Sequence, residues 1–293
     1  MDFLQHLING IYIGAIYAII ALGYTMVYGI AKMLNFAHGD VIMVGAYMSY
    51  TVVSGMGLPV IPSVLIAMAV CTLLGIVIEG LAYKPLRGAS SLAVLITAIG
   101  VSYFLQNAAQ LIWGPAEIAF KSVVSSKPLV FFNGALTISM EVIVTLIVAV
   151  IIMVGLTMFV NKTKMGKAMR AVSEDRAAAQ LMGINVNKTI SVTFAIGSAL
   201  AAVAGVLLCS KVQSVWPTVG SMPGIRAFTA AVFGGIGSIP GAMLGGMLLG
   251  LIETMGGAFI STQFSDAIVF MVLIIILLLK PAGLLGKQVQ EKV

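Results

Sequence analysis

Long apolar runs separated by short polar connections dominate this chain. The runs cover approximately residues 8–30, 41–58, 60–83, 92–113, 138–160, 189–210, 225–260 and 265–280. Because backbone polar groups in lipid must be satisfied within their own segment, such runs predict helices and not open strands. At about 20 residues per span, the pattern predicts an all-α membrane protein, a polytopic bundle of about eight to ten transmembrane helices.

Two of the runs are too long for one helix and contain helix-breaking residues. The 41–83 stretch has breakers at its centre, which predict a helical hairpin, namely Gly55, Gly57, Pro59 and Pro62. The 225–260 stretch contains the glycine-rich block 234–241, which also interrupts a helix. The sequence leaves open whether this block separates two short spans or forms a broken, partly re-entrant pair.

The composition requires an apolar surrounding. Hydrophobic residues make up 60% of the 293 positions and charged residues only 9%, whereas soluble domains carry about 25% charged residues. We therefore predict a single transmembrane domain over residues 1–293. The first ten residues contain no lysine or arginine, so we interpret the first apolar run as a retained span and not as a cleaved signal peptide.

Basic residues indicate the orientation of the chain. The connection at about 161–188 carries Lys162, Lys164, Lys167, Arg170, Arg176 and Lys188. If this connection is cytoplasmic, counting spans also places Lys32, the Lys84 loop and the C-terminal Lys280, Lys287 and Lys292 inside. Only Lys121, Lys127, Lys211 and Arg226 then lie outside, with the N-terminus. The net charge of +6 is not clustered on one face, so no nucleic-acid partner is expected.

The 161–188 connection contains a predicted short helix. Ser173 is a suitable N-cap, Glu174 and Asp175 follow in the first turn, and Gly183 stands where a left-handed C-terminal residue belongs. We predict a helix of about nine residues, roughly 14 Å long. Its apolar edge consists of Met169, Val172, Ala179 and Met182. The helix is either a solvated connector or an element that docks into a partner's groove.

Three separated blocks resemble the branched-chain amino-acid permease family of ATP-binding-cassette importers, the LivH-type membrane subunit. The first is N-F-A-H-G-D at 35–40, and the third is F-G-G-I-G-S-I-P-G-A at 233–242. The second is G-x-x-x-R-A-x-x-x-D-x-x-A-A-x-x-x-G-I at 166–184, which is similar to the coupling loop of importer permeases. The blocks occur in the family's order, and the resemblance covers nearly the entire chain.

The resemblance implies a permease subunit that translocates branched-chain or other hydrophobic amino acids. It implies a second permease subunit, two cytoplasmic ATPase subunits and an extracytoplasmic solute-binding protein as partners, in a lipid bilayer. The chain has no G-x-x-x-x-G-K-[ST] phosphate loop, so we expect no catalysis, no cofactor and ATP hydrolysis on separate subunits. The ATPase contacts are expected at Gly166, Arg170, Ala171, Ser173, Glu174, Asp175, Arg176, Ala178, Ala179 and Gly183.

Two alternatives remain open. The same family includes permeases for urea and short-chain amides. An ion-coupled secondary transporter would show several midplane carboxylates or helix breaks in matched halves, whereas this chain offers Glu253 and one glycine-rich block. A membrane enzyme is disfavoured, because no nucleophile, base and orienting residue converge in the sequence.

A few polar or breaking residues are candidates for the translocation pathway, namely Asn35, His38, Asp40, Gly234, Gly235, Gly237 and Glu253. For the first three we favour packing and capping over solute contact, with Asp40 as the N-cap of the next helix; a lone histidine makes no metal site. The glycines favour close helix packing, with a cavity-lining role as the alternative. Glu253 is expected to be deep, with a partner or a pathway role, whereas Glu79 and Asp266 are expected to snorkel or cap.

Overall fold

The structure, a computed structural model, describes residues 2–122, 124, 128–131 and 136–286. Lys127, Lys287 and Lys292 of the charge pattern lie outside these residues. The α-helices are α1 Asp2–Ala31, α2 His38–Tyr50, α3 Val60–Ile78, α4 Ser91–Trp113, α5 Met140–Lys162, α6 Lys164–Glu174, α7 Arg176–Leu181, α8 Val186–Val212, α9 Ser221–Gly234, α10 Ile239–Phe259 and α11 Ser265–Leu279. The predicted all-α membrane architecture is confirmed.

Seven helices in the described part of the chain are long and apolar enough to cross a membrane. They are α1, α3 with its continuation to Leu86, α4, α5, α8, α10, and α11 with the short turn before it. Helix α2, which a wider turn prolongs over Thr51–Gly55, and helix α9 are shorter, at 13 and 14 residues. The seven apolar helices and these two make nine in the described part of the chain, which agrees with the eight to ten that the sequence predicts.

Both predicted helix breaks are present. In the first, Gly57 has a positive φ of 65° and Pro59 precedes the first residue of α3. In the second, α9 ends at Gly234 and α10 begins at Ile239. The second break therefore separates the 14-residue α9 from the 21-residue α10. Helix α9 begins at Ser221, four residues before the apolar run starts.

Helix α1 is the central element of the bundle. In the most apolar 18-residue stretch of α1, 89% is buried inside the bundle, compared with 78% in α8 and only 6% in the α11 span. A helix that is apolar on all sides belongs in the interior of a bundle. Helices α4 and α5, each 22% buried, and α11 direct most of their apolar side chains outward, as helices that contact lipid do.

Glycines let α1 and α10 approach until their backbones touch. The two helices make the most extensive helix–helix contact in the described bundle. A Cβ added at Gly250 would lie 2.2 Å from the backbone nitrogen of Gly14, and one at Gly246 would lie 2.4 Å from Cα of Ala18. Gly246 and Gly250, four residues apart on α10, thus form the small-residue step at which α10 lies against the central helix.

Two short antiparallel sheets were not predicted. Strand β1, Ile118–Ala119, pairs with β4, Ser214–Val215. Strand β2, Leu129–Phe131, pairs with β3, Leu136–Ile138. They order the connections at one end of the bundle, where the side chain of Gln5 also hydrogen bonds to the carbonyl of Thr137 at 3.1 Å.

The basic connections lie together at the other end, which we call the α7 face. It consists of Lys32, the 84–90 connection, α6, α7, the 235–238 turn and residues 280–286. The Arg176 side chain of α7 donates to the carbonyl of Ala31 at the end of α1, and Lys32, Arg87 and Arg176 line one cavity. The segment after α11 donates a 2.9 Å backbone hydrogen bond to the end of α9. The basic segments that the charge pattern grouped are therefore on one side of the bundle.

We expect Gly250→Ala to destabilise the bundle, because the added methyl would meet the backbone of α1. Overpacking of this kind costs about 1–3 kcal/mol. Gly155→Ala in α5 is the matched control, since no atom lies within 4 Å of a Cβ there. Thermal unfolding of the purified protein should begin at a lower temperature for Gly250→Ala only. Equal unfolding temperatures for the two variants would contradict the assigned contact.

Candidate functional site

The connection between α5 and α8 folds as two short helices and not as the one predicted. Helix α6 begins after Thr163, whose hydroxyl accepts a hydrogen bond from the Gly166 amide at 3.0 Å, and runs to Glu174. Ser173 therefore lies inside α6, where its hydroxyl donates to the carbonyl of Arg170 at 2.7 Å. The prediction that Ser173 caps the docking helix is wrong.

Asp175 caps α7 instead. Its carboxylate accepts hydrogen bonds from the amides of Ala177 and Ala178 at 2.8 and 3.0 Å. A carboxylate at this position satisfies free amides and also interacts favourably with the helix dipole. Because the cap lies two residues later than predicted, α7 spans only the six residues Arg176–Leu181.

The predicted end of the docking helix is confirmed. Gly183 has a φ of +80°, a conformation that favours glycine. Its amide donates to the carbonyl of Gln180, and the amide of Ile184 donates to that of Ala179, both at 3.0 Å. These two bonds satisfy carbonyls that the end of the helix would otherwise leave free.

The apolar edge of this connection is divided between the bundle and the outside. Met169, Val172 and Ala179 are buried, so the prediction that they contribute to an exposed edge is wrong. Leu181 and Met182, at the end of α7, are 89% and 82% exposed. We call these two side chains the α7 tip. The α7 tip is the apolar surface that this connection presents outward.

The remaining residues of the predicted coupling loop differ in exposure. Arg170, Glu174, Asp175, Ala178 and Gly183 are exposed, Ala171, Ser173 and Arg176 are half-buried, and Gly166 is buried. A Cβ at Gly166 would lie 2.3 Å from the carbonyl oxygen of Val160. This glycine therefore lets α6 fold back tightly onto the end of α5.

Arg176 connects α7 to the central helix. Its guanidinium donates to the carbonyl of Ala31, the last residue of α1. Burial, and to a smaller extent the charge of Arg87, lower the pKa of Arg176 from its usual value, but an arginine stays protonated in proteins. A cation at a helix C-terminus is favoured by the helix dipole. Helix α7 is thus held to α1 by a charged contact.

A buried ion pair lies where the α3 span ends. Arg87 pairs with Glu79 and donates to the side chain of Asn187, while Ser191 of α8 donates to Glu79 at 2.6 Å. The Glu79 side chain is only 2% exposed. The prediction that Glu79 snorkels or caps is therefore wrong, because Arg87 brings the opposite charge to it. Through this network, α3 is joined to the start of α8.

Asn35, His38 and Asp40 are all buried around the start of α2. Asn35 accepts a hydrogen bond from the hydroxyl of Tyr83 at 2.8 Å, and Asp40 accepts one from the side chain of Gln106 at 2.9 Å. Helix α2 begins at His38, so the prediction that Asp40 is its N-cap is wrong. Asp40 lies in the first turn, where the helix dipole favours a negative charge.

The geometry around His38 favours packing over direct solute contact. Its ring centroid lies 4.6 Å from that of Tyr24, and a Cβ at Gly23 would lie 2.6 Å from its Nε2. The cavity that His38 and Asn35 help to line has a volume of about 10 Å³. That is roughly the space for one water molecule, which is too small for an amino acid.

Gly234, Gly235 and Gly237 form the turn between α9 and α10. Gly235 and Gly237 have φ values of +103° and +93°, which only glycine adopts easily. A Cβ at Gly234 would lie 1.9 Å from the carbonyl oxygen of Gly241, and the amide of Leu285 donates to the Gly234 carbonyl at 2.9 Å. The three glycines thus allow the turn and the segment after α11 to pack at the α7 face.

Arg226 is the centre of a charged cluster that joins four helices, and we call it the Arg226 cluster. The guanidinium of this α9 residue lies 2.7 Å from Glu253 of α10 and 2.6 Å from Asp266 of α11, and it donates to the hydroxyl of Tyr17 of α1 at 3.0 Å. Glu253, whose side chain is 14% exposed, therefore has the partner that was expected for it. Asp266 is 41% exposed at the start of α11, close to the end position expected for it.

Sequence reasoning did not identify the members of this cluster as partners. The charge pattern places Arg226 only among the basic residues expected on the outside, and it gives Tyr17 no role. One usable signal was present, since Arg226 is the single basic residue in the 225–260 run that also contains Glu253. A cation and an anion in one apolar hairpin favour pairing.

Comparison with known proteins gives the identity of the fold and its class of function. The model of the family described as branched-chain amino acid transport system, permease component, matches residues 6–277. The chain belongs to this family. The predictions of a transport permease and of a chain that is not an enzyme are thereby confirmed.

The similarity to individual permeases extends over almost the whole chain. The chain is 45% identical to the high-affinity branched-chain amino acid transport system permease protein BraD of Pseudomonas aeruginosa, over 99% of this chain and 98% of that one. It is 44% identical to LivH of Escherichia coli over the same shares. A probable LivH of Methanocaldococcus jannaschii is 31% identical over 92% of this chain and 88% of that one.

We expect Arg87→Met to lower the stability of the permease, because it leaves the Glu79 carboxylate buried without its cation. Removing one partner of a buried pair costs about 3–5 kcal/mol. Adding Glu79→Gln should recover part of this loss, since the unpaired charge is then removed. Lys188→Met, an exposed cation on the same face, is the control. Equal unfolding temperatures for Arg87→Met and for Arg87→Met with Glu79→Gln would argue against the pair.

Proposed function

We propose that this permease is the membrane-spanning subunit of an ATP-binding-cassette importer of branched-chain amino acids. The observation that carries the proposal is the 44–45% identity, over 99% of the chain, to permeases named for this transport. Identity at this level over nearly the whole chain preserves the helix packing. The glycine contacts of α1 with α10 and the ordered α6–α7 connection are consistent with a working permease of that kind.

The α7 face would be cytoplasmic and would receive the ATPase subunits. It collects Lys32, Lys84, Arg87 and the cations of the 161–188 connection, as the positive-inside bias requires of a cytoplasmic face. The N-terminus of α1 would then be extracytoplasmic. Localisation in the cell membrane follows from the family and from the seven apolar helices.

The α7 tip would be the contact point for an ATPase. Leu181 and Met182 present two large apolar side chains next to exposed charges, a combination that suits insertion into a groove on a partner. Asp175 and Gly183 fix both ends of α7, so the tip is held on a capped helix. Arg176 then connects the contact point to α1.

The proposed assembly contains a second permease subunit, two ATPase subunits and an extracytoplasmic binding protein. Such an assembly supplies what this chain lacks in sequence, since it has no phosphate loop of its own. Two of the carboxylates in the spans of the described residues, Glu79 and Glu253, are each paired with an arginine. That pairing favours an ATP-driven permease over an ion-coupled transporter, whose carboxylates must release and rebind an ion.

The substrate and the energy source are tested together by reconstitution. With its partner subunits in liposomes, the permease should take up leucine, isoleucine and valine only when ATP is present, and should take up urea and acetamide much more slowly. Transport of urea or acetamide in preference would support the alternative substrate class. Uptake by the isolated chain under an ion gradient would overturn the proposal.

The α7 tip is tested by changing its apolar character. Leu181→Glu with Met182→Glu should reduce both co-purification of the ATPase and ATP-dependent uptake by at least tenfold, while membrane abundance stays normal. The reason is that a charged tip cannot enter an apolar groove. Ile260→Glu is the control, because this residue is 70% exposed at the opposite end of the bundle. Normal ATPase binding by the double variant would show that the tip is not the contact.

A further inference from the structure

Two cavities adjoin the Arg226 cluster in the half of the bundle away from the α7 face. One, of about 200 Å³, is lined by residues of α1, α8, α9 and α10, among them Tyr17, Lys211, Arg226 and Glu253. The other, of about 380 Å³, shares Ile13, Arg226 and Glu253 with the first and extends to α11. Glu253 lines both cavities, and Lys211 lines the first.

The charges around the first cavity are not fully paired within the bundle. Oε1 of Glu253 is bound by Arg226, but its buried Oε2 has no hydrogen-bond partner among the described residues. Lys211 forms no ion pair within the described chain; its Nζ lies 5.6 Å from the ring centroid of Tyr12. Glu253 and Lys211, which both line this cavity, therefore leave one acceptor and one cation without a counterpart in the described residues.

The rest of the cavity wall is apolar. Besides the charged groups and Tyr17, the lining is formed mainly by aliphatic side chains, namely Ile13, Ile16, Leu208 and Val212. A buried polar group without a partner is costly, and an apolar wall attracts an aliphatic group. A ligand that satisfies all of these features carries a positive group, a negative group and a branched hydrocarbon side chain.

We propose that this cavity is a binding site for a zwitterionic aliphatic α-amino acid. In this site, Lys211 receives the α-carboxylate, Oε2 of Glu253 accepts from the α-ammonium group, and the aliphatic wall contacts the side chain. The inference rests on the proposed function and deepens it. It gives the permease a solute site of its own, separate from any site on a soluble binding protein.

The site is placed so that occupancy affects the helices of the α7 face. Arg226 lies near the start of α9, and the same helix ends at Gly234, whose carbonyl is bound by the segment after α11. Eight residues of helix separate the two positions, a distance of about 12 Å. Tyr17 connects the cluster in the same way to α1, the helix that Arg176 contacts at its other end.

The test measures which parts of the solute the site recognises. The probe is L-leucine, bound to the permease complex with its membrane and ATPase partners in nanodiscs. The competitors are 4-methylpentanoate, which lacks the ammonium group, and 3-methylbutylamine, which lacks the carboxylate. In the wild-type complex, each competitor should bind at least tenfold more weakly than leucine.

Each variant should remove one half of this preference. Lys211→Met should weaken the binding of leucine by about tenfold or more, equal to about 1.4 kcal/mol. The same variant should abolish the preference for leucine over 3-methylbutylamine. Glu253→Gln should abolish the preference over 4-methylpentanoate. Lys121→Met and Glu117→Gln make the same changes at exposed positions and should leave both preferences intact.

The outcomes separate this site from the proposed function. If the wild-type complex transports leucine with ATP but Lys211→Met keeps wild-type affinity and preferences, the site is overturned and the function stands. If the wild-type complex transports no branched-chain amino acid, the function itself fails. If Glu253→Gln does not fold, the binding preferences of Lys211→Met decide, since Lys211 has no ion pair in the described bundle whose loss would unfold it.

Discussion

The fold depends on the close approach of α10 to α1. Lipid provides little hydrophobic driving force between helices, so association relies on close packing and on the few polar contacts. Gly14 and Gly250 supply that packing because neither carries a side chain where the two backbones meet. Helix α1 can then occupy the interior, and every other functional feature described here is positioned relative to it.

The second constraint is the pairing of opposite charges within the bundle. Arg226 of α9 pairs with Glu253 of α10 and Asp266 of α11. The pair of Glu79 with Arg87 lies at the end of the α3 span and is joined to α8 through Asn187 and Ser191. Each pair therefore fixes a helix position in addition to neutralising a charge. In the Arg226 cluster, the buried Oε2 of Glu253 lacks a partner within the described residues, and Glu253 is one of the residues that line the adjoining cavity.

Much of the fold could be predicted because the apolar runs and their breakers are local signals. The hairpin break near Gly57, the interruption after Gly234 and the left-handed Gly183 were all readable in this way. The cap of α7 was not, because Ser173 and Asp175 are both good caps and only the turn of α6 decides between them. Partners such as Arg87 for Glu79 depend on tertiary packing, which one sequence does not reveal. The roles of the candidate pathway and coupling residues remain predictions.

Arg176 hydrogen bonds to the end of α1, the most deeply placed helix. Under the proposed mechanism, an ATPase that displaces α7 would act first on the axis of the bundle and only afterwards on its periphery. Helices α4 and α11 could then vary in tilt with bilayer thickness without disturbing the route by which force enters. The importer would in this way be insulated from changes in lipid composition.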